Sequence, residues 1–405
     1  MANEEYLTQR LKGAKDLGNP FCAFAPLRET CICLIAICLT WPCSTAVAQE
    51  NAANPAESLP AFAEPGDESS HYMVEKVAGG LDHPCGLALR PNPPAGGPYE
   101  LFFSESGAGR VVRTSTVKLE EITPVVTGFP LGSHEGLSEK PVGPLGLAFV
   151  TRTKLAVGTG GLGNGKDVIR VYSLPENASP IAYDEVDHTV GPVPPASRST
   201  TGEGGFFALA KIENQSEKAL FATTGGDPDQ GWVLKASSGA NKLSDLQPFI
   251  ATRLVTGAGR PTAVTINPKS RSNYLLVSQV GAKGKERDSL VGYYGPTTGT
   301  PALVLKTGLR DIVGLAYSPS GDLYAVDFSS AEPNAGGVYR IDAADVNGRQ
   351  SCRAVRIAAV ERPTSLAFTP DGVLYVTAFG ERTGANEPPT GQLLKITPGA
   401  DAPKL

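Results

Sequence analysis

Histidines and clusters of basic residues are scarce in this chain of 405 residues. Its four histidines, at positions 71, 83, 134 and 188, are too few to build a His-rich transition-metal cluster. Lys and Arg form no stripe that could neutralise a phosphate backbone, and the net charge is −5. Nucleic acid is therefore not an expected partner.

Sequence motifs of nucleotide-binding and nucleophilic enzymes are also missing. No P-loop, dinucleotide fingerprint or Gly-x-Ser-x-Gly elbow occurs between a strand and a helix, and helical periodicity is nearly absent after residue 50. The chain instead has 46 Gly and 34 Pro among short apolar runs. This composition is typical of many short strands joined by tight turns.

The N-terminal 48 residues differ from the rest and predict a signal peptide. The apolar run 31–39 follows several basic residues and is well short of the roughly 20 residues that a membrane-spanning helix needs. The small-x-small pattern Ala46-Val47-Ala48 then precedes Gln49, as at a secretory cleavage site. We expect a secreted or periplasmic protein, linked to a membrane only if residues 1–48 remain as an uncleaved signal anchor.

Cysteines are concentrated in the predicted signal, so the mature chain keeps Cys85 and Cys352. These two positions fall in the first and fifth of the repeats described below, too far apart to form a disulfide. Residues 49–70 are rich in Ala, Pro, Glu and Ser with little to bury, which predicts a disordered linker. The remaining residues, 71–405, are predicted to form one domain.

A repeated strand pattern organises this domain. The stretch "PTSLAF" (363–368) recurs in degraded form, and the residues equivalent to Leu366 follow one another at intervals of 51 to 60 residues. We place them at Leu87, Leu147, Phe207, Val264, Leu315 and Leu366. A turn and a second strand follow each copy, as in "DLYAVD" (322–327) and "VLYVTA" (373–378). Six copies at this period indicate a β-propeller rather than a β-sandwich or solenoid.

Third and fourth strands complete most copies of the repeat. The inner strand of the third copy is predicted at 205–210, and the fourth strand of the second copy at 180–186. The sixth copy lacks a fourth strand, whereas an extra strand, 72–81, precedes the first copy. We therefore predict an all-β, six-bladed β-propeller with four-stranded blades, closed by strand 72–81 pairing into the last blade.

The patterns "GLDHPCGLAL…ELFFSESGAGRVVR" and "RPTSLAFTPDGVLYVTAFGE…GQLLKI" resemble a known superfamily of propellers. They look like the six-bladed NHL-repeat, gluconolactonase and soluble quinoprotein sugar-dehydrogenase proteins, over residues 72–398. The signature encodes packing and turns rather than one chemistry. The resemblance implies a catalytic His before the Gly-Gly pair of the third blade, where this chain has Gly202 and Glu203. It also implies a Glu-Gly-Pro opening for a lactonase, where this chain has "LDHPCG".

Propeller geometry predicts where a site would lie. The loops that enter the inner strands and those that join second to third strands share one face around the central channel. Polar and charged residues of these loops are our candidates for a ligand-binding rim: His83, Glu105, Glu203, Arg260, Arg310, Glu381 and Arg382.

One loop on this face has the composition of a calcium site. In "TTGGDPDQG" (223–231), Asp227 and Asp229 lie on a Gly-rich segment that could also expose carbonyl oxygens. Asp327 matches a rim carboxylate of metal-binding relatives. These three carboxylates are the candidate calcium ligands.

Two functions remain open from the sequence. The first, which we favour, is an exported, non-catalytic propeller whose rim binds a small molecule, glycan or protein. The second is a divergent calcium- or quinone-dependent sugar oxidoreductase or lactone hydrolase. Carboxylates converging in the channel would favour the enzyme, and an apolar or Gly-lined channel would favour the binding protein.

Overall fold

A computed structural model describes residues 58–405, except 94–95, 135–137, 177–178, 215–216, 240–241, 270–273, 282–286 and 381–387. The predicted signal peptide lies outside the described residues. Within them, no helix is both long and apolar enough to cross a membrane.

The strands follow the predicted repeat. Two strands precede the first blade, separated by a 3-10 helix (Ser69–His71): β1 (Gly66–Asp67) and β2 (Tyr72–Leu81). Blades one and two, with a hairpin between them, contain β3 (Pro84–Leu89), β4 (Glu100–Glu105), β5 (Arg110–Ser115), β6 (Lys118–Thr127), β7 (Gly132–His134), β8 (Ser138–Val142), β9 (Pro144–Thr151), β10 (Lys154–Thr159), β11 (Ile169–Ser173), β12 (Ile181–Ala182) and β13 (His188–Val190).

Blades three and four contain β14 (Leu209–Glu213), β15 (Lys218–Thr223), β16 (Trp232–Ser237), β17 (Gln247–Ala251), the helix α1 (Thr252–Thr256), β18 (Pro261–Ile266), β19 (Leu275–Gln279), β20 (Leu290–Tyr294) and β21 (Pro301–Lys306). Blades five and six, with a 3-10 helix (Pro333–Ala335), contain β22 (Ile312–Tyr317), β23 (Leu323–Asp327), β24 (Gly337–Val346), β25 (Arg349–Ala359), β26 (Pro363–Phe368), β27 (Leu374–Ala378) and β28 (Gly391–Pro398).

These strands form six antiparallel blades, as predicted. The inner strands contact one another in the ring order β3, β9, β14, β18, β22, β26 and back to β3. The second strand of each blade is buried on both faces because neighbouring blades cover it, and β19, β23 and β27 are buried throughout. Such strands read as continuous apolar runs. Six clusters of buried apolar side chains lie between neighbouring blades and form the core.

Strand β2 closes the ring as predicted. It runs antiparallel to β28 from Tyr72 to Leu81 and completes the sixth blade. Tyr72 is 7% exposed and Leu81 is 3% exposed, so both ends of the strand pack into the core. Cys85 and Cys352 are free thiols, which confirms that they do not pair.

The prediction of a disordered linker is wrong for residues 58–70, which lie along blades four and five. Strand β1 pairs in parallel with β25, and the Ala63 N–H donates to the Cys352 carbonyl. The Arg356 guanidinium contacts Asp67 at 2.6 Å and Arg340 contacts Glu68 at 3.1 Å. Backbone pairing and ion pairs thus order a segment that has few apolar residues. Residues 49–57 lie outside the described part of the chain.

Two strand predictions also need correction. The segment 180–186 is not the outer strand of blade two; β12 within it pairs with β6 of blade one, and β13 is the outer strand. Burial explains this, because Ile181 and Tyr183 pack into the core between blades one and two.

The inner strand of blade three begins at Leu209 rather than at residue 205. Leu209 pairs with Ala222 as Leu366 pairs with Val376, so Leu209, not Phe207, is the repeat's equivalent position. The apolar pair Phe206-Phe207 belongs to the preceding loop. The alternation of the sequence alone does not distinguish the two registers.

Candidate functional site

A central cavity of about 310 Å³ lies among the inner strands. Its wall contains the repeated apolar residue of every blade: Leu87, Leu147, Leu209, Val264, Leu315 and Leu366. In all six blades a small residue, Gly, Ala or Ser, precedes this apolar residue, because the inner strands are in close contact. A Cβ on Gly86 would lie 2.3 Å from the Leu145 carbonyl oxygen, and one on Gly146 would lie 2.8 Å from that of Phe207. Most wall residues are thus apolar or glycine, and polar side chains lie among them.

The cavity extends to the face that we predicted. Its polar residues and aromatic rings come from loops that enter inner strands and from loops that follow second strands. Backbone hydrogen bonds hold these two loop types together: Phe328 N–H donates to the Asp311 carbonyl, and Phe379 N–H donates to the Arg362 carbonyl, both at 2.9 Å. Hydrogen bonds between the two loop types thus fix the shape of this face.

Three phenylalanines line this part of the cavity: Phe207, Phe328 and Phe379. The rings of Phe328 and Phe379 meet edge to face, with centroids 5.9 Å apart. The sequence carries a signal for these two, since each follows directly on the second strand of its blade. Our sequence interpretation missed these two residues because it followed the residues that pack the core of each blade, and the core does not require an aromatic ring just after the second strand.

Arg260 and Asp311 are the charged residues of the cavity wall within the described chain. The Arg260 guanidinium carbon lies 5.1 Å from the centre of the Phe207 ring. Burial lowers the pKa of Arg260, and the Asp311 carboxylate acts in the opposite direction. Asp311 Oδ2 accepts hydrogen bonds from Ser330 N–H at 2.7 Å and Ser330 Oγ at 2.6 Å. Of the predicted rim residues that the structure describes, Arg260 alone lies in the cavity wall.

His83 lies beside the cavity rather than in its wall. Its ring stacks on Phe379 with centroids 4.4 Å apart, and its Nδ1 is 3.1 Å from an Asp82 carboxylate oxygen. The side chain is 5% exposed. His83 therefore supports the Phe379 ring from behind.

Glu105 and Asp327 each connect two loops instead of facing a ligand. Glu105 accepts from the Asp82 N–H at 3.1 Å and contacts Arg110 Nε at 2.6 Å. Asp327 accepts from three backbone N–H groups, those of Arg310, Asp311 and Ser329, at 2.7 to 3.2 Å. Burial nevertheless raises the pKa of Asp327.

Glu203 is fully buried between blades two and three. It accepts hydrogen bonds from Ser199 Oγ at 2.5 Å, from Thr224 Oγ1 and from the Asp227 N–H at 3.3 Å. Burial raises the pKa of Glu203, and the Asp227 charge adds to this effect. Glu203 is thus an internal anchor for the loop before β14.

Two of the three carboxylates predicted to bind calcium, Asp227 and Asp327, accept hydrogen bonds from the protein, whereas Asp229 is exposed. Asp227 accepts from the backbone N–H groups of Thr200 and Asp229, both at 2.9 Å. Asp327 belongs to blade five and is occupied as described above. Throughout the described residues, no three His, Cys, Asp or Glu side chains group closely enough to hold a metal. The residues present do not fit a calcium site made of Asp227, Asp229 and Asp327.

Two further predicted rim residues, Glu381 and Arg382, lie outside the described residues. Arg310 is described, and its guanidinium contacts the Glu332 carboxylate at 2.9 Å on the loop-rich face. Sequence reasoning also did not select Asp167, which is fully buried and accepts from the Gly205 N–H at 2.9 Å. Asp167 thus positions the same loop as Glu203.

Comparison with known proteins finds solved structures that resemble this one, but no significant match in sequence. No protein-family model matches the chain, and no curated protein sequence matches it significantly. A putative oxidoreductase (glucose dehydrogenase) from Thermus thermophilus matches with a TM-score of 0.51 and 20% identity, over 80% of this chain and 99% of that one.

The PQQ-bound aldose sugar dehydrogenase from Streptomyces coelicolor matches with a TM-score of 0.50 and 17% identity, over 82% of this chain and 100% of that one. A luciferin-regenerating enzyme has a TM-score of 0.50 and 12% identity, over 82% and 97%. The chain has the fold of these propellers. This confirms the resemblance to quinoprotein and gluconolactonase-like propellers, and at these identities it concerns the fold alone.

The described cavity does not fit the quinone named for the Streptomyces protein. Pyrroloquinoline quinone carries several carboxylates, and such a ligand requires several cationic or donor groups around it. The described cavity wall offers Arg260 as its one cation, and Asp311 partly balances that charge.

Proposed function

We propose that this protein is an exported, non-catalytic propeller that binds a small molecule in its central channel. The observation that carries the proposal is the apolar, glycine-lined cavity of about 310 Å³ opening towards the loop-rich face. This volume is at the lower end of the range for small-molecule sites, roughly 300–1,000 Å³. A folded protein or a long glycan could not enter it.

Three buried carboxylates of the rim are directed away from the cavity, which supports binding without catalysis; Asp311 is the one carboxylate in the described cavity wall. Glu105, Glu203 and Asp327 are each at most 2% exposed and accept hydrogen bonds from the protein. A general base must reach the proton that it removes, and these three groups are directed at loops. The position where the sugar-dehydrogenase resemblance implies a catalytic His holds Glu203.

Export remains part of the proposal. It is supported by the basic segment, the apolar run 31–39 and the pattern Ala46-Val47-Ala48. Free thiols at Cys85 and Cys352 neither require nor oppose an oxidising compartment, and burial raises the pKa of each to about 12, which disfavours the reactive thiolate.

The test compares a blocked channel with a matched surface variant. Val313 lies in the cavity wall, so Val313→Phe should fill part of it, whereas Val117→Phe makes the same change at a side chain that is 71% exposed. A thermal-shift screen of neutral metabolites, sugars, lactones and small acids is run on both variants and on the wild type. A ligand at 100 times its Kd stabilises the folded state by about 2.7 kcal/mol.

We expect the same compounds to stabilise the wild type and Val117→Phe but not Val313→Phe. Equal shifts in all three proteins would place binding outside the channel. The enzyme alternative is tested in parallel with sugars or lactones, with and without calcium and pyrroloquinoline quinone. Turnover that Val313→Phe abolishes would contradict the non-catalytic part of the proposal.

A further inference from the structure

His83 lies at the junction of the first and last blades, between the closing strand β2 and the inner strand β3. Its backbone is in the left-handed region, with a φ of 50°. The adjoining loop of blade one stabilises this conformation, because the Ser106 N–H donates to the His83 carbonyl and the Gly107 N–H donates to the carbonyl before it, both at 3.1 Å. These contacts hold the local backbone in place and so fix the direction of the Cα–Cβ bond of His83.

The imidazole of His83 is wedged between a glycine and an aromatic ring. On one side, a Cβ on Gly107 would lie 2.6 Å from Nδ1, so only a glycine leaves room for the imidazole. On the other side, the imidazole stacks on the Phe379 ring, with centroids 4.4 Å apart and the ring planes inclined by 29°. Because His83 is 5% exposed, its side chain has little room to move. The imidazole thus fills a narrow slot behind Phe379.

Phe379 is the residue that connects His83 to the cavity. Its N–H donates to the Arg362 carbonyl at 2.9 Å, and its ring lines the cavity wall. The Phe328 ring contacts it edge to face, while His83 covers one of its faces. Contacts on two sides restrict the rotamers that the Phe379 ring can adopt. Without the imidazole, this ring could turn into the vacated slot and change the shape of the cavity.

We infer that His83 is a positioning residue that holds the Phe379 ring against the cavity, so that the channel selects ligands with a flat aromatic face. This inference rests on the proposed function. A ring that is already held in one orientation stacks on a flat group at little cost in side-chain entropy, and such a contact is worth more than its buried area alone. His83 does not line the cavity itself, so it acts through Phe379.

Two neutral probes with the same carbon skeleton test this selection: 2-naphthol, which is flat, and decahydro-2-naphthol, which is not. Dissociation constants are measured by ligand-observed NMR on the full mature protein. The wild type should bind 2-naphthol about three- to tenfold more tightly than the saturated probe. Val313→Phe should bind neither probe, because both enter the channel.

His83→Asn removes the imidazole ring but keeps a residue type that tolerates the left-handed backbone. We expect it to reduce the preference for 2-naphthol to less than about twofold. His188→Asn is the matched control, because its imidazole is also packed, with Nδ1 2.8 Å from the Asp187 carboxylate, but belongs to the outer strand β13. This control should keep the wild-type preference.

A double-mutant cycle tests whether His83 acts through Phe379. Phe379→Leu alone should also remove the preference for 2-naphthol. Adding His83→Asn to it should then change the ratio of the two dissociation constants by less than about twofold. A crystal structure of His83→Asn should show the Phe379 ring in a different orientation from the wild type.

A preference for 2-naphthol that survives in His83→Asn, or a Phe379 ring that stays in place in its crystal structure, would overturn the inference while leaving channel binding intact. Equal affinity of the wild type for the two probes would do the same. Binding of neither probe, together with no compound that distinguishes Val313→Phe from the wild type, would overturn the proposed function itself. Should His83→Asn not fold, Gly107→Ala displaces the imidazole from its other side and should reduce the preference in its place.

Discussion

Removal of the closing strand β2 should destabilise the propeller far more than removal of the segment before it. Three chains that begin at Gln49, Tyr72 and Asp82 make the comparison. The chain starting at Tyr72 loses the pairing of β1 with β25 and the ion pairs of Asp67 and Glu68. Partly exposed ion pairs contribute about 0–1 kcal/mol each, so we expect a loss of about 1–3 kcal/mol.

The chain starting at Asp82 also loses the ladder between β2 and β28. Tyr72 and Leu81 are almost fully buried, and burial of such a side chain is worth about 1.5–3 kcal/mol. The hydrogen bonds of the ladder add about 1 kcal/mol each. With about one such bond for each of the eight residue pairs of the ladder, the sum is about 11–14 kcal/mol, comparable with the whole stability of a typical domain, roughly 5–15 kcal/mol.

Guanidinium unfolding, followed by tryptophan fluorescence and circular dichroism, measures the difference. The chain from Tyr72 should unfold cooperatively at a slightly lower midpoint than the chain from Gln49. The chain from Asp82 should be insoluble or unfold without a transition, because β28 becomes an exposed edge. Equal midpoints for the chains from Tyr72 and Asp82 would refute the reasoning.

Three further predictions concern the buried carboxylates and the N-terminus. Because burial raises the pKa of Glu203, its contribution to stability is fully present below the ordinary carboxyl pKa and is lost as the pH rises through the folded-state value. Glu203→Gln should therefore raise the free energy of unfolding above that of the wild type at pH 8 and not at pH 4, by about 1.4 kcal/mol for each unit of pKa shift, with a higher thermal midpoint at pH 8; an equal effect at both pH values would contradict this. Asp327→Ala leaves three backbone N–H groups without their acceptor and should cost about 3 kcal/mol or more in chemical denaturation, whereas Asp371→Ala, an exposed change on the opposite rim, should cost less than about 0.5 kcal/mol. N-terminal sequencing should give Gln49 as the first residue of the exported protein. Cytoplasmic protein whose first residue is Ala2 would contradict the predicted signal peptide.

Much of the fold could be predicted because each blade repeats the same physical requirements. Inner strands need a small residue where neighbouring backbones meet, as at Gly86, and second strands need apolar residues on both faces. These requirements recur at a regular period. The closing strand was predictable for the complementary reason that the last blade lacked one strand and the first had one to spare.

The errors arose where distant contacts decided the structure. Residues 58–70 have the composition of a linker, yet their order comes from β25, nearly 300 residues away. Segment 180–186 alternates like an outer strand, but its apolar side chains are buried against blade one. In both cases the local sequence pattern does not identify the strand or blade against which the segment packs.

The site was harder to predict than the fold because a loop carboxylate has the same sequence signature in two different roles. Glu203 and Asp327 were reasonable ligand candidates, and both accept hydrogen bonds from the protein. Arg260 was one of several predicted rim residues; its position in the cavity wall near Asp311 and the phenylalanines becomes evident only when the blades are assembled.

The most direct test of channel binding is a crystal structure of the protein with the compound that gives the largest thermal shift. We predict electron density for that compound within the central cavity, in contact with Leu315 and Phe379 and beside Arg260. Density in the same crystals at the outer surface of the blades, with the cavity unchanged, would contradict the account.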